Sequence, residues 1–378
     1  MSCANLKHAA PAHPCARGIP FILNIKKGTV QPWRPCRLAG SFELNHELQS
    51  KYGSKSTDNV QSPLISFIQM PGNLLKNDLS HCKKVVNRVT EVFREKHGFS
   101  RDIAVRAEQT FGDKWTTEFG SAVDTLFGNE EDLTCAINGY AAFAIDSLRR
   151  QKKFELERKY EVKSYEQAAE EVYFNEKHML EQYLPGLFLS HYLWPHHYRQ
   201  MRYFKEFFVS SMQQSNAKRF VEVGIGTGIY SRILLQEIPA VSGVGFDIST
   251  HSKSFTENHL KAFGLGGRYE VQLQNVLENT PQDEFNWLVC VEVLEHLENP
   301  LEFLCGLRKM LAPGGKAFIT AALNAANEDH IYLYETTGQV CEQLKDAGFV
   351  VEQYFYGAAY APASPDLPVP AVVALIVN

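Results

Sequence analysis

Glu222-Val223-Gly224-Ile225-Gly226-Thr227-Gly228 sets a carboxylate two residues ahead of three glycines at alternate positions. A β-branched apolar run leads in from Arg219, and a helical pattern, Ile229-Tyr230-Ser231-Arg232, follows at once. The segment therefore reads as a strand, a tight turn and a helix start. Without Cβ atoms the turn can be sharp and a ligand can reach its amides. The helix start adds unpaired N–H groups and the positive end of its dipole. The dinucleotide fingerprint requires Gly or Ala at position 229, which is Ile229 here. Glu222 would also repel a pyrophosphate, whereas it would attract a ligand with an amino group or a cationic sulfur. A second acid, Asp247, follows at a distance of 247 − 222 = 25 positions, room for one intervening helix. At a strand end beside the first turn it can accept hydrogen bonds from both hydroxyls of a ribose. It could equally cap the helix that starts near Ser249.

A further phrase gives these features a family. Val289-Cys290-Val291-Glu292-Val293-Leu294-Glu295-His296-Leu297-Glu298-Asn299-Pro300 contains E-V-L-E-H-L-x-x-P. Together with E-x-G-x-G-x-G it resembles the motifs of class I S-adenosylmethionine (SAM)-dependent methyltransferases of the small-molecule type. The resemblance covers residues 216–378. It implies an α/β fold, a Rossmann-like seven-stranded methyltransferase sheet, with SAM as cosubstrate. It also implies a cofactor-binding set of Glu222, Gly224, Gly226, Gly228, Asp247, Ile248, Asn275, Val276 and Glu292. In that set Asn275, where many relatives have Asp, would meet the adenine amino group through its amide oxygen. Ile248 and Val276 would sandwich the ring or simply pack in the core. Glu292 would sit near the reacting centre, and His296 one turn on would serve as a base or as a structural hydrogen-bonder.

Catalytic candidates come from two other stretches. After the fifth strand, Asn324–Tyr334 is a polar loop at the carboxyl edge of the sheet, where ligands of such folds bind. There Asp329, His330 and Tyr332 could orient a substrate amine or carboxylate. A mononuclear metal site from Asp329, His330 and Gln339 or His196 is the less favoured reading, since adjacent Asp-His is not a diagnostic ligand spacing. Before the glycine turn lie Tyr173-Phe174-Asn175 and Trp194-Pro195-His196-His197-Tyr198. Rings beside a sulfonium stabilise it and exclude water. Tyr173, Asn175 and Tyr198 are the residues of this group expected at the site, because a polar Asn in an aromatic helix needs a partner.

The elements that must hold these residues fall into three parts. Residues 1–60, broken by Pro11, Pro14, Pro20, Pro32 and Pro35, read as an irregular arm. Residues 61–215 read as an all-helical cap domain: Leu79 to Gly98, a helix capped by Ser100, Leu133–Leu148, Tyr165–Tyr173, and Arg199–Met212. Residues 216–378 form the SAM-binding domain. Strands are expected at 219–224, 241–248, 269–274, 285–292 and 316–322, with helices near 228–238, 251–263, 300–311 and 335–347. The last two strands, 349–355 and 369–377, have no helix between them and should pair antiparallel at one edge.

The 378-residue chain carries a net charge of −5, too little positive charge for nucleic acid to be its main partner. No apolar run is long enough to span a bilayer. Its 8 cysteines form no C-x-x-C pair, which fits reduced thiols and a cytoplasmic setting. Methyl transfer from SAM to a small specialised-metabolite acceptor is the leading expectation. Two alternatives use the same pocket. In one, SAM cyclises by attack of its own amine on the γ-carbon, as in azetidine-2-carboxylate synthases, and releases methylthioadenosine. In the other, the fold is a non-catalytic SAM-binding module. The oligomeric state is not legible.

Overall fold

The computed structural model describes residues 78–361, 364 and 367–378. The arm expected over 1–60 lies outside them, as does the cap before Asp78. The described residues belong to one compact unit.

Its centre is a seven-stranded sheet in the order β3-β2-β1-β4-β5-β7-β6. These strands are β1 Arg219–Val223, β2 Ser242–Asp247, β3 Tyr269–Leu273, β4 Phe285–Cys290, β5 Leu311–Leu323, β6 Val351–Ala358 and β7 Ala371–Val377. The first five pair in parallel, and β7 runs antiparallel between β5 and β6. β1 lies centrally, between β2 and β4, and its two faces enter two apolar clusters, Phe220 in one and Val221 with Val223 in the other, which is why it reads as an apolar run instead of alternating. The expected terminal hairpin is present at the edge. The link from β3 to β4 carries no helix, whereas the others in the parallel part use α9 Ile229–Glu237, α10 Thr250–Ala262 and α11 Pro300–Met310. Helix α12 Thr337–Asp346 leads into β6.

The helical part runs α1 Leu79–Lys96, α2 Ile103–Leu126, α3 Glu130–Glu157, α4 Tyr165–Ala168, α5 Glu176–His178, α6 Leu184–Leu193, α7 Pro195–Tyr203 and α8 Ser210–Gln214. Single π-helical turns at Ala169–Tyr173, Met179–Tyr183 and Phe204–Val209 join the short pieces. Asp78 caps α1 by accepting from the Ser80 N–H, and Asn129 caps α3 through the Asp132 N–H. Ser100 does not cap α2: Asp102 occupies that position, and the buried Ser100 hydroxyl has no partner.

Helices and sheet share one apolar core. A single cluster joins Val89, Phe119 and Tyr140 from the helices with Phe220, Trp287 and Phe318 from the strands. The helical layer differs from the sheet in architecture, but the two are not separated in packing. Trp115 Nε1 donates to the Tyr192 carbonyl at 2.8 Å, and Gln200 Nε2 to the Tyr230 hydroxyl at 2.8 Å, so these two buried donors are satisfied.

Close packing makes one position unforgiving. A Cβ on Gly139, in α3, would stand 2.3 Å from the Glu181 carbonyl oxygen of the π-helical turn, and backbone cannot step aside. Alanine adds about 1 kcal/mol of helix propensity, but overpacking costs about 1–3 kcal/mol or more. So short a contact with backbone belongs at the upper end of that cost, and Gly139→Ala is expected to lose about 2 kcal/mol or more net in urea unfolding. An unchanged or raised midpoint would contradict the packing described.

Candidate active site at the carboxyl edge of the sheet

The carboxyl ends of β1, β2 and β4 open into a cavity of about 740 Å³ that residues of α2, α3 and α6 also line. Its floor is the glycine turn. Gly224, Gly226 and Gly228 have φ of 75°, 51° and 69°, a region that L side chains avoid. Gly226 faces the cavity, with only Leu187 Cδ2 3.5 Å from where a Cβ would be. Gly228 is spent on the fold: it is buried beneath Thr256 and starts α9. The turn's shape is thus fixed by packing as much as by ligand approach.

Asp247 lines the cavity at the end of β2. Its Oδ2 accepts from the Gly226 N–H at 3.3 Å and its Oδ1 from the Ser249 N–H at 2.8 Å. The helix cap is Ser249, whose Oγ accepts from His251 and Ser252 and donates to the Tyr173 carbonyl. Asp247 is therefore free for a ligand, and its carboxylate also ties the second strand to the glycine turn. Burial pushes its carboxyl up to about 6, against the N–H groups that favour the charge. A ligand diol donates to the ionised form. SAM affinity is accordingly expected to fall about tenfold per pH unit below 6 and to level off above it. Calorimetry between pH 5 and 7.5 checks this, and Asp247→Asn should flatten the slope.

Glu222 is buried at the end of β1 and also borders the cavity. Its carboxylate accepts from Ser231 Oγ and from Tyr269 Oη, and burial pushes it up to about 7. It is anchored sideways into the sheet and does not reach freely for a cation. Ile248, Asn275 and Val276 line the same end. Asn275 Oδ1 accepts the Leu277 N–H at 3.1 Å and its Nδ2 donates to Glu278, an arrangement that leaves one lone pair of the oxygen for a base. Tyr165, unassigned from sequence, also borders this end, and burial, then the Asp247 carboxylate, push its hydroxyl up to about 12.

At the other end Glu292 follows β4 with φ 51°, a strained backbone for a residue bearing Cβ. Thr320 holds it twice, accepting from the Glu292 N–H at 2.9 Å and donating to Oε1 at 2.6 Å. Burial, then the nearby Glu295 carboxyl, push Glu292 well above the usual carboxylate range.

His296 and Asp329 form a buried pair, Nδ1 to Oδ2 at 3.2 Å. Asp329 Oδ2 also accepts from Tyr173 Oη at 3.0 Å and Tyr183 Oη at 2.6 Å. Burial opposes charge on His296, but Asp329 outweighs it and holds the imidazole up to about 10. Burial likewise opposes the Asp329 charge, and His296 reverses it, leaving that carboxyl well below its ordinary range. His330 lies against His296, ring centroids 5.0 Å apart, with Nδ1 2.6 Å from the Ala325 carbonyl oxygen. Burial and then His296 keep its pKa lowered. The loop carrying Asp329 and His330 is clasped by α3. Gln151 donates to the Asn324 carbonyl and accepts from the Ala326 N–H.

Three expected site residues lie elsewhere. Asn175 is exposed and caps α5, its Oδ1 accepting the His178 N–H at 3.1 Å. Tyr332 turns away from the cavity: the parallel bridge of Leu323 with Tyr334 folds the chain back, and the Tyr332 hydroxyl accepts from Gln343 Nε2. Tyr198 donates to Glu118 inside the helical layer at 2.9 Å. The expected metal ligand Gln339 caps α12 with Thr336. His196 is stacked on Trp194 within the aromatic wall, ring centroids 5.8 Å apart. Tyr173 and His330 both border the cavity. Tyr183 and Glu295 were given no role from sequence, since each acquires its surroundings only when the 324–330 loop returns beside β4.

The residues present suit an S-adenosyl group on their own geometry. Gly226 offers an approach a Cβ would narrow, Asp247 offers a carboxylate beside it, and Ile248 with Val276 offer two apolar faces. The match to a family model agrees. Residues 194–354 match the family model described as "Methyltransferase domain". The ubiquinone biosynthesis O-methyltransferase of Methylococcus capsulatus is 26% identical over 113 residues, covering 30% of this chain and 47% of that protein. The enzyme of the same name from Dechloromonas aromatica is 30% identical over 119 residues, covering 30% and 48%. The chain spans about half the length of these curated relatives. Among solved structures, mitomycin 7-O-methyltransferase is 16% identical with TM-score 0.43, covering 68% of this chain and 72% of that one. Residues 194–354 thus match a methyltransferase-domain model, and the sheet order and glycine turn over β1 to β6 fit the class I, SAM-dependent kind.

Proposed function

We propose that this protein transfers the methyl group of SAM to a small, largely apolar acceptor enclosed under the helical layer. The observation that carries the reading is continuity. One cavity of about 740 Å³ reaches from Gly226 and Asp247 to Tyr140, Phe143 and Trp194 of the helices. That volume lies within the range of small-molecule sites, which runs to about 1,000 Å³. It is larger than a nucleoside alone requires, and its aromatic end suits a specialised metabolite better than a macromolecule. No helix among the described residues is long and apolar enough to cross a membrane, which fits the cytoplasmic setting we assign to it.

SAM supplies the electrophilic methyl group. The chain's residues supply alignment, a dry enclosure and a place for the acceptor's proton. Asp247 and Asn275 orient the nucleoside, and the glycine turn admits the amino-acid part. The Tyr173–Asp329–His296 network stiffens the wall nearest Glu292. Of the expected catalytic residues, Tyr173 and His330 remain candidates to touch substrate. The SAM-cyclising alternative loses the amide assigned to it, because Asn175 faces solvent.

Incubating the pure protein with SAM alone, and then with a panel of phenols, enols and amines, tests the reading. S-adenosylhomocysteine is expected only with an acceptor. Methylthioadenosine released without one would replace methyl transfer by cyclisation. Binding without turnover across the panel would leave a SAM-binding module.

A further inference from the structure

Glu295, His296 and His330 bring three potential ligand atoms within 4.8 Å of one another. Both oxygens of Glu295 are sealed from solvent without a hydrogen-bond partner, and the residue is 0% exposed. An unpartnered buried carboxyl group is costly, so a proton or something outside the chain must satisfy it. The two imidazoles are turned alike. His296 Nδ1 lies within 3.2 Å of the Asp329 carbonyl and carboxylate oxygens, and His330 Nδ1 is 2.6 Å from the Ala325 carbonyl. Metal-bound histidines characteristically have their second nitrogen tied in this way. Neither Nε2 has a hydrogen bond among the described residues, and both rings border the cavity. Charge points the same way. The carboxyl groups of Glu292, Glu295 and Asp329 gather here, and among the described residues no Lys or Arg pairs with any of them. The backbone fixes the juxtaposition, since the Ile331 and Tyr332 N–H groups donate to the Glu295 carbonyl at 2.7 and 2.9 Å.

We infer that Glu295, His296 and His330 bind one divalent transition-metal ion, with its open positions turned toward the cavity. Two imidazole nitrogens and a carboxylate suit Zn²⁺, Fe²⁺ or Co²⁺. Donors about 2.0–2.2 Å from an ion lie roughly 3–4 Å apart, so modest rotamer adjustment closes the set. The ion would displace the Nε2 proton of the His296 imidazolium; Asp329 holds that ring from behind and is not itself a ligand. A water or an oxygen of the acceptor would complete the shell, on the side where Glu292 stands. The alternative occupant of this space is a proton shared between Glu292 and Glu295.

The test uses the full chain, stripped with chelator and titrated with Co²⁺ and with Zn²⁺ in the absence of SAM. One ion per chain is expected after desalting, with a visible Co²⁺ spectrum that lacks thiolate charge-transfer bands. Retained metal should drop at least tenfold in His330→Ala and in Glu295→Gln. Should either variant fail to fold, stoichiometry and spectrum of the wild-type protein decide. No retained ion, thiolate bands from the cysteines, or undiminished binding by the folded variants would overturn the site. None of these outcomes bears on methyl transfer, which is read separately from products.

Discussion

Asp247→Ala is expected to weaken SAM binding at least a hundredfold while leaving the protein folded. Two ligand hydroxyls donating to a charged carboxylate contribute about 1.5–3 kcal/mol each. Losing about 3 kcal/mol corresponds to roughly two hundredfold in affinity. The substitution also frees the Gly226 N–H, which Asp247 now accepts at 3.3 Å, so the glycine turn loses a brace as well as the ligand a partner. Isothermal calorimetry at pH 7.5 is the measurement, since the wild-type carboxyl at about 6 is ionised there. Affinity within threefold of wild type would remove Asp247 from the site.

Asp329→Ala should have the largest effect on stability, about 3–5 kcal/mol. The carboxylate is wholly buried and serves His296, Tyr173 and Tyr183 at once. Removing it takes the counter-charge from a buried imidazolium, which keeps only the residue 329 carbonyl and the Tyr173 hydroxyl, and leaves the Tyr183 hydroxyl without its acceptor, which is far worse than never having buried them. Asp329→Asn preserves the shape and retains one acceptor, so it should cost less than alanine. Urea unfolding followed by circular dichroism orders the three proteins. If the alanine variant unfolds at the wild-type midpoint, the network described around Asp329 does not exist in solution.

Much of this was readable from residues alone, for a definite reason. The strand–turn–helix at Glu222–Gly228 is local, and its glycines announce positive φ wherever the chain goes next. The absence of a helical pattern between the last two strands likewise dictates an antiparallel pair. Errors came from two sources, a local helix cap read as a ligand contact and partners that lie far along the chain. Asn175 looked like a polar side chain needing a ligand, but three residues on is the His178 N–H, and a helix cap satisfies it. Tyr332 stands in a loop that faces the site at Asp329 and His330. It is carried past that site when Tyr334 bridges Leu323. Glu295 carried no recognisable role at all, because its two neighbours arrive from different stretches. His296 is adjacent in sequence, while His330 returns only after β5 has been built. No spacing rule connects them; the Glu295 carbonyl holding Ile331 and Tyr332, with the His296–Asp329 pair, makes them a cluster.

A crystal of the protein grown with S-adenosylhomocysteine tests the central claim most directly. The nucleoside is expected across the carboxyl ends of β1 and β2, its ribose hydroxyls on Asp247, its base between Ile248 and Val276, and its sulfur facing the aromatic end of the cavity. A crevice left empty at saturating ligand, or the nucleoside bound away from Gly226 and Asp247, would contradict it.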